Sequence, residues 1–206
     1  MTTPEPWSCA LAPIDAREIP EDLAETFRTR PDVVEELSDG LRKRGIESSL
    51  DLAGYVTNRE RFVHAGPVLT VRYAPKRAHD NEQRLGHEQI GAAAIPGCVI
   101  LSDARGCEGS VLGGNAAQTI RSGGAAVYVL DGLARDVDEI TATGLIVLAA
   151  RFGIRTGRQT TQAIAIGEPM TFVHTYVASG DVAVVNRNGL VVIPSWVPWD
   201  DVRALI

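Results

Sequence analysis

The chain of 206 residues contains only three cysteines, Cys9, Cys98 and Cys107. An odd and sparse set does not form a disulfide framework, and no CxxC pair or Cys/His cluster has the spacing of a zinc site. Cys107 lies near a glycine-rich segment, but no histidine is close to it in sequence to activate a thiolate. We therefore interpret Cys107 as a buried or loop cysteine rather than as a nucleophile.

Short motifs that identify common enzyme classes are also missing. The sequence contains no GxGxxG dinucleotide fingerprint, no GxxxxGK[ST] phosphate loop, no GxSxG nucleophile elbow and no HExxH helix. A methyltransferase is disfavoured as well, because no glycine-rich strand–turn–helix suited to a nucleoside cofactor is present where one is expected. These absences argue against a nucleotide cofactor and against a serine hydrolase.

Neither a secretory signal nor a membrane span is indicated at the start of the chain. Residues 1–7 contain no basic region and no long apolar run, so the expected compartment is the cytoplasm and no membrane partner is expected. A net charge of -6 argues against binding to a phosphate backbone, so no nucleic-acid partner is expected. Arg151, Arg155 and Arg158 are interpreted as a solvated face.

Composition and periodicity divide the chain into an N-terminal arm, residues 1–31, and a single domain, residues 32–206. The arm is rich in proline and charge, with a short helix near Glu21–Arg28. Asp32–Arg44 has apolar residues at helical spacing, with Asp32 as N-cap and Gly45 as the stop. Further helices are predicted at Glu82–Ala94, at Ala116–Arg121 and from Val137 onward. Strands are predicted at Val68–Val71, Cys98–Leu101, Ala125–Leu130, Leu145–Leu148, Ile164–Ile166, Thr171–Val173, Val182–Val185 and Leu190–Ile193. Alternating helices and strands followed by a strand-rich last third predict an α/β layered sandwich.

The first candidate site is the segment Gly113-Gly114-Asn115-Ala116, which precedes a predicted helix. Two glycines allow a backbone to approach a ligand closely, and Asn115 is a suitable N-cap. The free N–H groups of a helix start bind carboxylate or phosphate. A glycine turn followed by a capped helix without any ligand explains the same residues, and the spacing alone favours that simpler interpretation.

The second candidate site is the Arg135-Asp136 pair, which follows a predicted buried strand. Loops after such strands are where α/β proteins place their sites. The forked donors of Arg135 suit a carboxylate or carbonyl oxygen, and the carboxylate of Asp136 suits a hard cation such as Mg²⁺. Alternatively, Asp136 and Glu139 form a capping box and Arg135 only pairs with nearby acids. The spacing leaves these two interpretations evenly matched.

One long stretch of the chain resembles a known family. The run GGNAAQTIRSGGAAVYVLDGLARDVDEI, residues 113–140, resembles the most diagnostic stretch of the RraA-like family. Five shorter segments agree in order and spacing with family motifs: Glu36–Leu41, Ala65–Arg72, Pro96–Val99, Ser179–Asp181 and Asn188–Pro194. The resemblance covers about Glu35 to Pro194, which is most of the chain.

This resemblance implies a swivelling α/β/β layered sandwich that assembles as a homotrimer or homohexamer, with active sites between subunits. The family contains class II pyruvate aldolases that act on 4-hydroxy-4-methyl-2-oxoglutarate, oxaloacetate decarboxylases and regulators of ribonuclease activity. Arg135 matches the arginine that holds a substrate oxygen, and Asp136 matches the aspartate that coordinates Mg²⁺ or Mn²⁺. The backbone of Asn115 and Ala116 matches the amides that hold the pyruvyl carboxylate. The implied function is a metal-dependent lyase that acts on a 2-oxo acid through an enolate.

The chain departs from the aldolase pattern at three places. Gly114 stands where the aldolases usually carry an acid, and Asn186 and Asn188 replace the usual acids near the end of the domain. The aldolases also draw a glutamate from the C-terminal region of a neighbouring subunit, and Asp200 or Asp201 is the candidate replacement in this chain. Two alternatives therefore stay open, a non-catalytic regulatory or binding protein and an enzyme with a diverged substrate.

Overall fold

The computed structural model describes residues 14–76 and 85–206. The helices in these residues are α1 (Glu21–Thr29), α2 (Val33–Lys43), α3 (His87–Ala93), α4 (Gly114–Ser122), α5 (Val137–Thr143) and α6 (Trp199–Arg203). The strands are β1 (Ser49–Asp51), β2 (Val56–Thr57), β3 (Val63–Pro75), β4 (Val99–Asp103), β5 (Val127–Ala134), β6 (Ile146–Phe152), β7 (Thr161–Ile166), β8 (Met170–Phe172), β9 (Thr175–Val177), β10 (Val182–Asn186) and β11 (Gly189–Ile193). No helix among the described residues is long and apolar enough to cross a bilayer.

One mixed sheet organises the chain, in the order β1-β11-β10-β3-β4-β5-β6-β2, with β7 also paired to β3. Strands β3 to β6 are parallel, and α3, α4 and α5 form the crossovers between them. Strands β1, β10 and β11 are antiparallel and join the sheet through the first part of β3. The long strand β3 therefore belongs to both halves of the sheet.

The two halves of the sheet pack against each other through a shared apolar cluster. Val99 and Val127 from the parallel half and Leu190 and Val192 from the antiparallel half belong to this cluster, and all are at most 1% exposed. Helices α3 to α5 cover the other face of the parallel half, where they bury Tyr128. This arrangement confirms the predicted α/β/β layers.

An outer helical layer covers the remaining face of the antiparallel half. Phe27 of α1 and Leu37 of α2 are fully buried against Val184 and Ile193 of the sheet and Val202 of α6. The hydrophobic stripe of each helix faces this cluster, as expected for an amphipathic surface helix. Part of the segment that the sequence assigns to the arm is thus packed onto the domain.

The predicted strands are all found, although several bounds differ. The predicted start of the helix at Glu82 lies outside the described residues, and within them the helix begins only at His87, after the extended Gly86. β5 runs on to Ala134, past its predicted end at Leu130. β3 runs through Gly66 and Pro67, which the sequence suggests as a strand boundary.

His64 on β3 makes stability depend on pH. Its Nε2–H donates to the carbonyl oxygen of Gly97 at 2.8 Å. Burial lowers the pKa of His64 and outweighs the opposing effect of this hydrogen bond. Because the unfolded chain then binds the proton more readily, the free energy of unfolding falls as pH drops below about 6.5, the ordinary histidine pKa.

We expect the His64→Gln variant to lose less stability than the wild type between pH 7 and pH 5. Urea denaturation at each pH measures the difference. His174 is exposed, so His174→Gln serves as the matched control and is expected to keep the wild-type slope. Equal slopes for wild type and His64→Gln would show that His64 is not the group responsible.

Candidate active site

The end of β5 and the start of α4 meet at the carboxyl end of the parallel strands. Leu112 forms a parallel bridge with Ala134, and Arg135 N donates to the carbonyl oxygen of Leu112 at 3.0 Å. Gly113 follows Leu112, and Arg135 follows Ala134. The two candidate segments, residues 113–116 and 135–136, therefore lie side by side and form one candidate site.

The first turn of α4 presents free backbone donors. Gly113 is in the N-cap position, and Ala117 N donates to its carbonyl oxygen at 2.9 Å. The amides of Asn115 and Ala116 have no acceptor within residues 14–76 and 85–206. The prediction that Asn115 caps the helix is wrong, because extended Gly113 takes that position and Asn115 lies in the first turn. The free amides nevertheless form the kind of helix start that binds anions.

Asp136 occupies the turn between β5 and α5 in a left-handed conformation, with φ 57 and ψ 49. Aspartate adopts this region more often than most residues, although it remains uncommon. The residue sits at the N-cap position of α5, but its side chain makes no capping hydrogen bond. Its Oδ2 instead accepts from Gly114 N at 3.4 Å. The capping box that the sequence allows between Asp136 and Glu139 is therefore not formed.

Arg135 and Asp136 form an ion pair beside the glycines. Arg135 Nε lies 3.2 Å from Asp136 Oδ2, and the two side chains are 39% and 33% exposed. A Cβ at Gly113 would lie 2.8 Å from that same oxygen and 3.2 Å from Arg135 Nε. The absence of a side chain at Gly113 is thus what allows the pair to approach α4. Neither terminal nitrogen of Arg135 has an acceptor in the described part of the chain.

Glu139, in the first turn of α5, also borders this candidate site. A Cβ at Gly114 would lie 2.0 Å from Glu139 Oε2, so the glutamate fills the space that a side chain at position 114 would need. The sequence indicated Glu139 only as part of a capping box. In the sequence, only the glycine at position 114 indicates that the side chain of another residue occupies this space.

A separate cleft of about 220 Å³ lies nearby along β5 and β6 and contains neither Arg135 nor Asp136. Arg105 in its wall is held by both oxygens of Asp103, at 3.0 Å and 2.9 Å, and lies 3.5 Å from Asp131. Cys107 in the same wall is 5% exposed, and burial raises the pKa of its thiol. The structure thus agrees with Cys107 as a buried cysteine.

The other residues that bear on the departure from the aldolase pattern form hydrogen bonds or ion pairs away from the candidate site. Asn186 Nδ2 donates to Glu35 Oε1 at 3.1 Å, and Asn188 Nδ2 donates to the same oxygen at 3.1 Å. Acids at these two positions would repel Glu35, so the asparagines match this neighbour. Asp200 pairs with Arg203 at 2.8 Å and Asp201 pairs with Arg44 at 3.0 Å.

A family model described as RraA-like, Aldolase/RraA, matches residues 34–192. The chain belongs to the RraA-like family. The matched span includes Gly113, Gly114, Arg135 and Asp136, so the whole candidate site falls inside the region that defines the family. Aldolases and decarboxylases as well as inhibitors of RNase E belong to this family.

Solved structures share the fold of this RraA-like chain. Streptomyces coelicolor RraAS2, described as an unusual member of the RNase ES inhibitor RraA protein family, is 20% identical with a TM-score of 0.76, over 91% of this chain and 92% of that one. An uncharacterized protein from Pseudomonas syringae pv. tomato is 22% identical with a TM-score of 0.74, over 94% and 86%. The RNA-processing inhibitor RraA from Thermus thermophilis is 20% identical with a TM-score of 0.59, over 78% and 92%. No curated protein matches the chain. At these identities the likeness concerns the fold alone.

Proposed function

We propose that this RraA-like chain is a divalent-metal-dependent lyase that acts on a 2-oxo acid and releases pyruvate by aldol cleavage or decarboxylation. The observation that carries the proposal is the position of the Arg135–Asp136 pair against the first turn of α4. There a carboxylate, a guanidinium and free backbone amides lie close together. The amides suit the carboxylate of a 2-oxo acid, the guanidinium suits its keto oxygen, and the carboxylate of Asp136 suits a cation.

The backbone amides of Asn115 and Ala116 bind the substrate carboxylate in this proposal. They lie in the first turn of a nine-residue helix, where the helix dipole adds to the attraction for an anion. Because the groups belong to the backbone, they are held in place without the cost of ordering a side chain. By holding the carboxylate end of the substrate, the amides fix the position of its reacting carbons.

Arg135 binds the keto oxygen and stabilises the negative charge that develops there as the carbon–carbon bond breaks. Its Nε forms an ion pair with Asp136 at 3.2 Å, on the side of the guanidinium that faces α4 and Gly113. Its two terminal nitrogens remain as donors of a planar fork. Donors that are already oriented before reaction are among the largest contributions to catalysis. Aldol cleavage and decarboxylation pass through the same enolate, so one site serves both.

Asp136 fits a small hard cation. Within residues 14–76 and 85–206 no three His, Cys, Asp or Glu side chains gather into a metal-binding group, so any site here offers few carboxylates. Mg²⁺ commonly takes only one or two carboxylates and keeps several waters, and Mn²⁺ accepts similar oxygen ligands. When bound, Mg²⁺ or Mn²⁺ supplies Lewis-acid stabilisation of the enolate. Asp136 Oδ1 is the ligand we assign, since Oδ2 is engaged by Arg135 and Gly114.

We propose that the active sites lie between the subunits of a homotrimer or homohexamer. The Arg135–Asp136 pair lies on an open surface, not inside the nearby cleft, which fits a site that a neighbouring subunit completes.

Pyruvate release tests the proposed reaction. The purified protein is incubated with oxaloacetate or with 4-hydroxy-4-methyl-2-oxoglutarate, with Mg²⁺ or Mn²⁺ and then with excess chelator. Release that stops with chelator and returns when metal is added back is the expected result. Metal without protein measures the spontaneous decarboxylation of oxaloacetate. Release no faster than this background on both substrates would favour a binding role or another substrate.

A further inference from the structure

We propose that Glu139 supplies a second carboxylate to the metal site, taking the place of a side chain that Gly114 does not provide. The inference rests on the proposed metal-dependent function and identifies one further residue of the same site. The aldolases of the family usually carry an acid at the position of Gly114, the first residue of α4. In this chain the carboxylate of Glu139 lies beside that position and comes from α5 instead.

The contact between Glu139 and Gly114 is the first observation. A Cβ built at Gly114 would lie 2.0 Å from Glu139 Oε2, 2.7 Å from its Cβ and 3.0 Å from its Cδ. Real Cβ atoms do not approach other atoms so closely, so any residue other than glycine at position 114 would displace the glutamate. Gly114 and Glu139 are therefore a matched pair, and the volume of the missing side chain is filled by a carboxylate.

The position of Asp136 is the second observation. Asp136 Oδ2 accepts from Gly114 N at 3.4 Å, so this carboxylate also faces the first residue of α4. Asp136 is the left-handed residue before α5, and Glu139 lies in the first turn of α5, where its Oε2 and Cβ occupy the space beside Gly114. Both carboxylates therefore border the same glycine.

The partners of the neighbouring acids are the third observation. Several carboxylates at this end of the sheet are held by arginines, in the pairs Arg105–Asp103, Arg105–Asp131, Arg155–Glu108 and Arg72–Glu168. Glu139 and its exposed neighbour Asp138 are not among them. The Glu139 carboxylate has no hydrogen-bond donor and no cationic partner anywhere in residues 14–76 and 85–206. It also forms no capping bond with α5. Glu139 is exposed, and its carboxylate beside Gly114 is open to a cation.

Binding of Mn²⁺ alone tests the proposal without relying on turnover. The loss of free Mn²⁺ is followed by electron paramagnetic resonance as the full-length protein is added. We expect Glu139→Gln, which keeps the shape but removes the charge, to weaken Mn²⁺ binding on the order of tenfold or more. Asp138→Asn is the matched control, because it removes the same charge from an exposed position on the same helix. It is expected to bind Mn²⁺ like the wild type.

An exchange of the two positions tests whether they serve one site. Glu139→Gly removes both the carboxylate and the Cβ that would lie 2.7 Å from a side chain at Gly114, and Gly114→Asp in that background places a carboxylate back into the space. We expect the double variant to bind Mn²⁺ more tightly than Glu139→Gly alone. A double variant that binds no more tightly would overturn the idea that both positions serve one site. Unfolding midpoints of all variants identify any that lose affinity through misfolding.

The outcomes separate this inference from the proposed function. If Asp136→Asn weakens Mn²⁺ binding while Glu139→Gln binds like Asp138→Asn, the role of Glu139 is overturned and the metal site at Asp136 stands. If the wild type binds no Mn²⁺, both proposals fail. If Glu139→Gln and Asp136→Asn both weaken binding while Asp138→Asn does not, two carboxylates hold the cation.

Discussion

The Arg135→Gln variant is expected to release pyruvate with a kcat about 10² to 10³ lower than the wild type, while still binding Mn²⁺. The size of the loss is that of removing one oriented donor to a developing oxyanion. The reason lies in the geometry of the guanidinium, whose Nε lies 3.2 Å from Asp136 Oδ2 while its terminal nitrogens have no acceptor among the described residues. Glutamine retains neither the charge nor the fork.

Steady-state kinetics with a saturating metal measure this effect. Arg135→Lys is expected to recover part of the rate, because lysine restores the charge but not the bidentate geometry. Arg42→Lys is the control, since Arg42 lies on α2 with a side chain 73% exposed. A kcat of Arg135→Gln within a few-fold of the wild type would exclude Arg135 as the donor that stabilises the enolate.

The Phe27→Ala variant is expected to lower the free energy of unfolding by about 3–5 kcal/mol, the usual cost of truncating a buried phenylalanine. Phe27 is 0% exposed and belongs to the cluster shared by α1, α2, β10, β11 and α6. The change leaves a cavity in the outer layer that the surrounding helices fill only in part. The N-terminal segment thus contributes directly to the stability of the domain.

Chemical denaturation with a constant m-value measures this loss. Glu25→Ala is the matched control, because Glu25 is exposed on the same helix and surface changes usually alter stability by less than about 0.5 kcal/mol. A loss below about 1 kcal/mol for Phe27→Ala would mean that α1 does not dock on the domain in solution.

Hydrophobic periodicity predicted most of the fold, and its failures have local causes. The sequence predicts that β3 begins at Val68, because the preceding Gly66–Pro67 dipeptide usually marks a turn. In the structure β3 continues through Gly66 and Pro67. Position 66 requires glycine because a Cβ would lie 2.0 Å from the carbonyl oxygen of Gly97. The strands β1, β2 and β9 were missed because two or three residues are too short to show a period.

The candidate site was predicted in its residue types but not in its assembly. Arg135 and Asp136 stand out by their chemistry and by the family resemblance. Their contact with Gly113 and Gly114 depends on the bridge between Leu112 and Ala134, a pairing of distant residues that periodicity does not show. The contact of Glu139 with Gly114 arises from the packing of α5 on α4, which is equally invisible in one sequence.

The most direct measurement is pyruvate release from oxaloacetate by wild type and by Asp136→Asn, each with Mg²⁺ or Mn²⁺ and with excess chelator. Asparagine keeps the size of the side chain and removes the charge that attracts a cation. A metal-dependent lyase at Arg135–Asp136 requires that the variant fall to the rate of metal without protein, while the wild type exceeds it and loses that excess with chelator. Equal metal-dependent release by both proteins would contradict a metal site at Asp136.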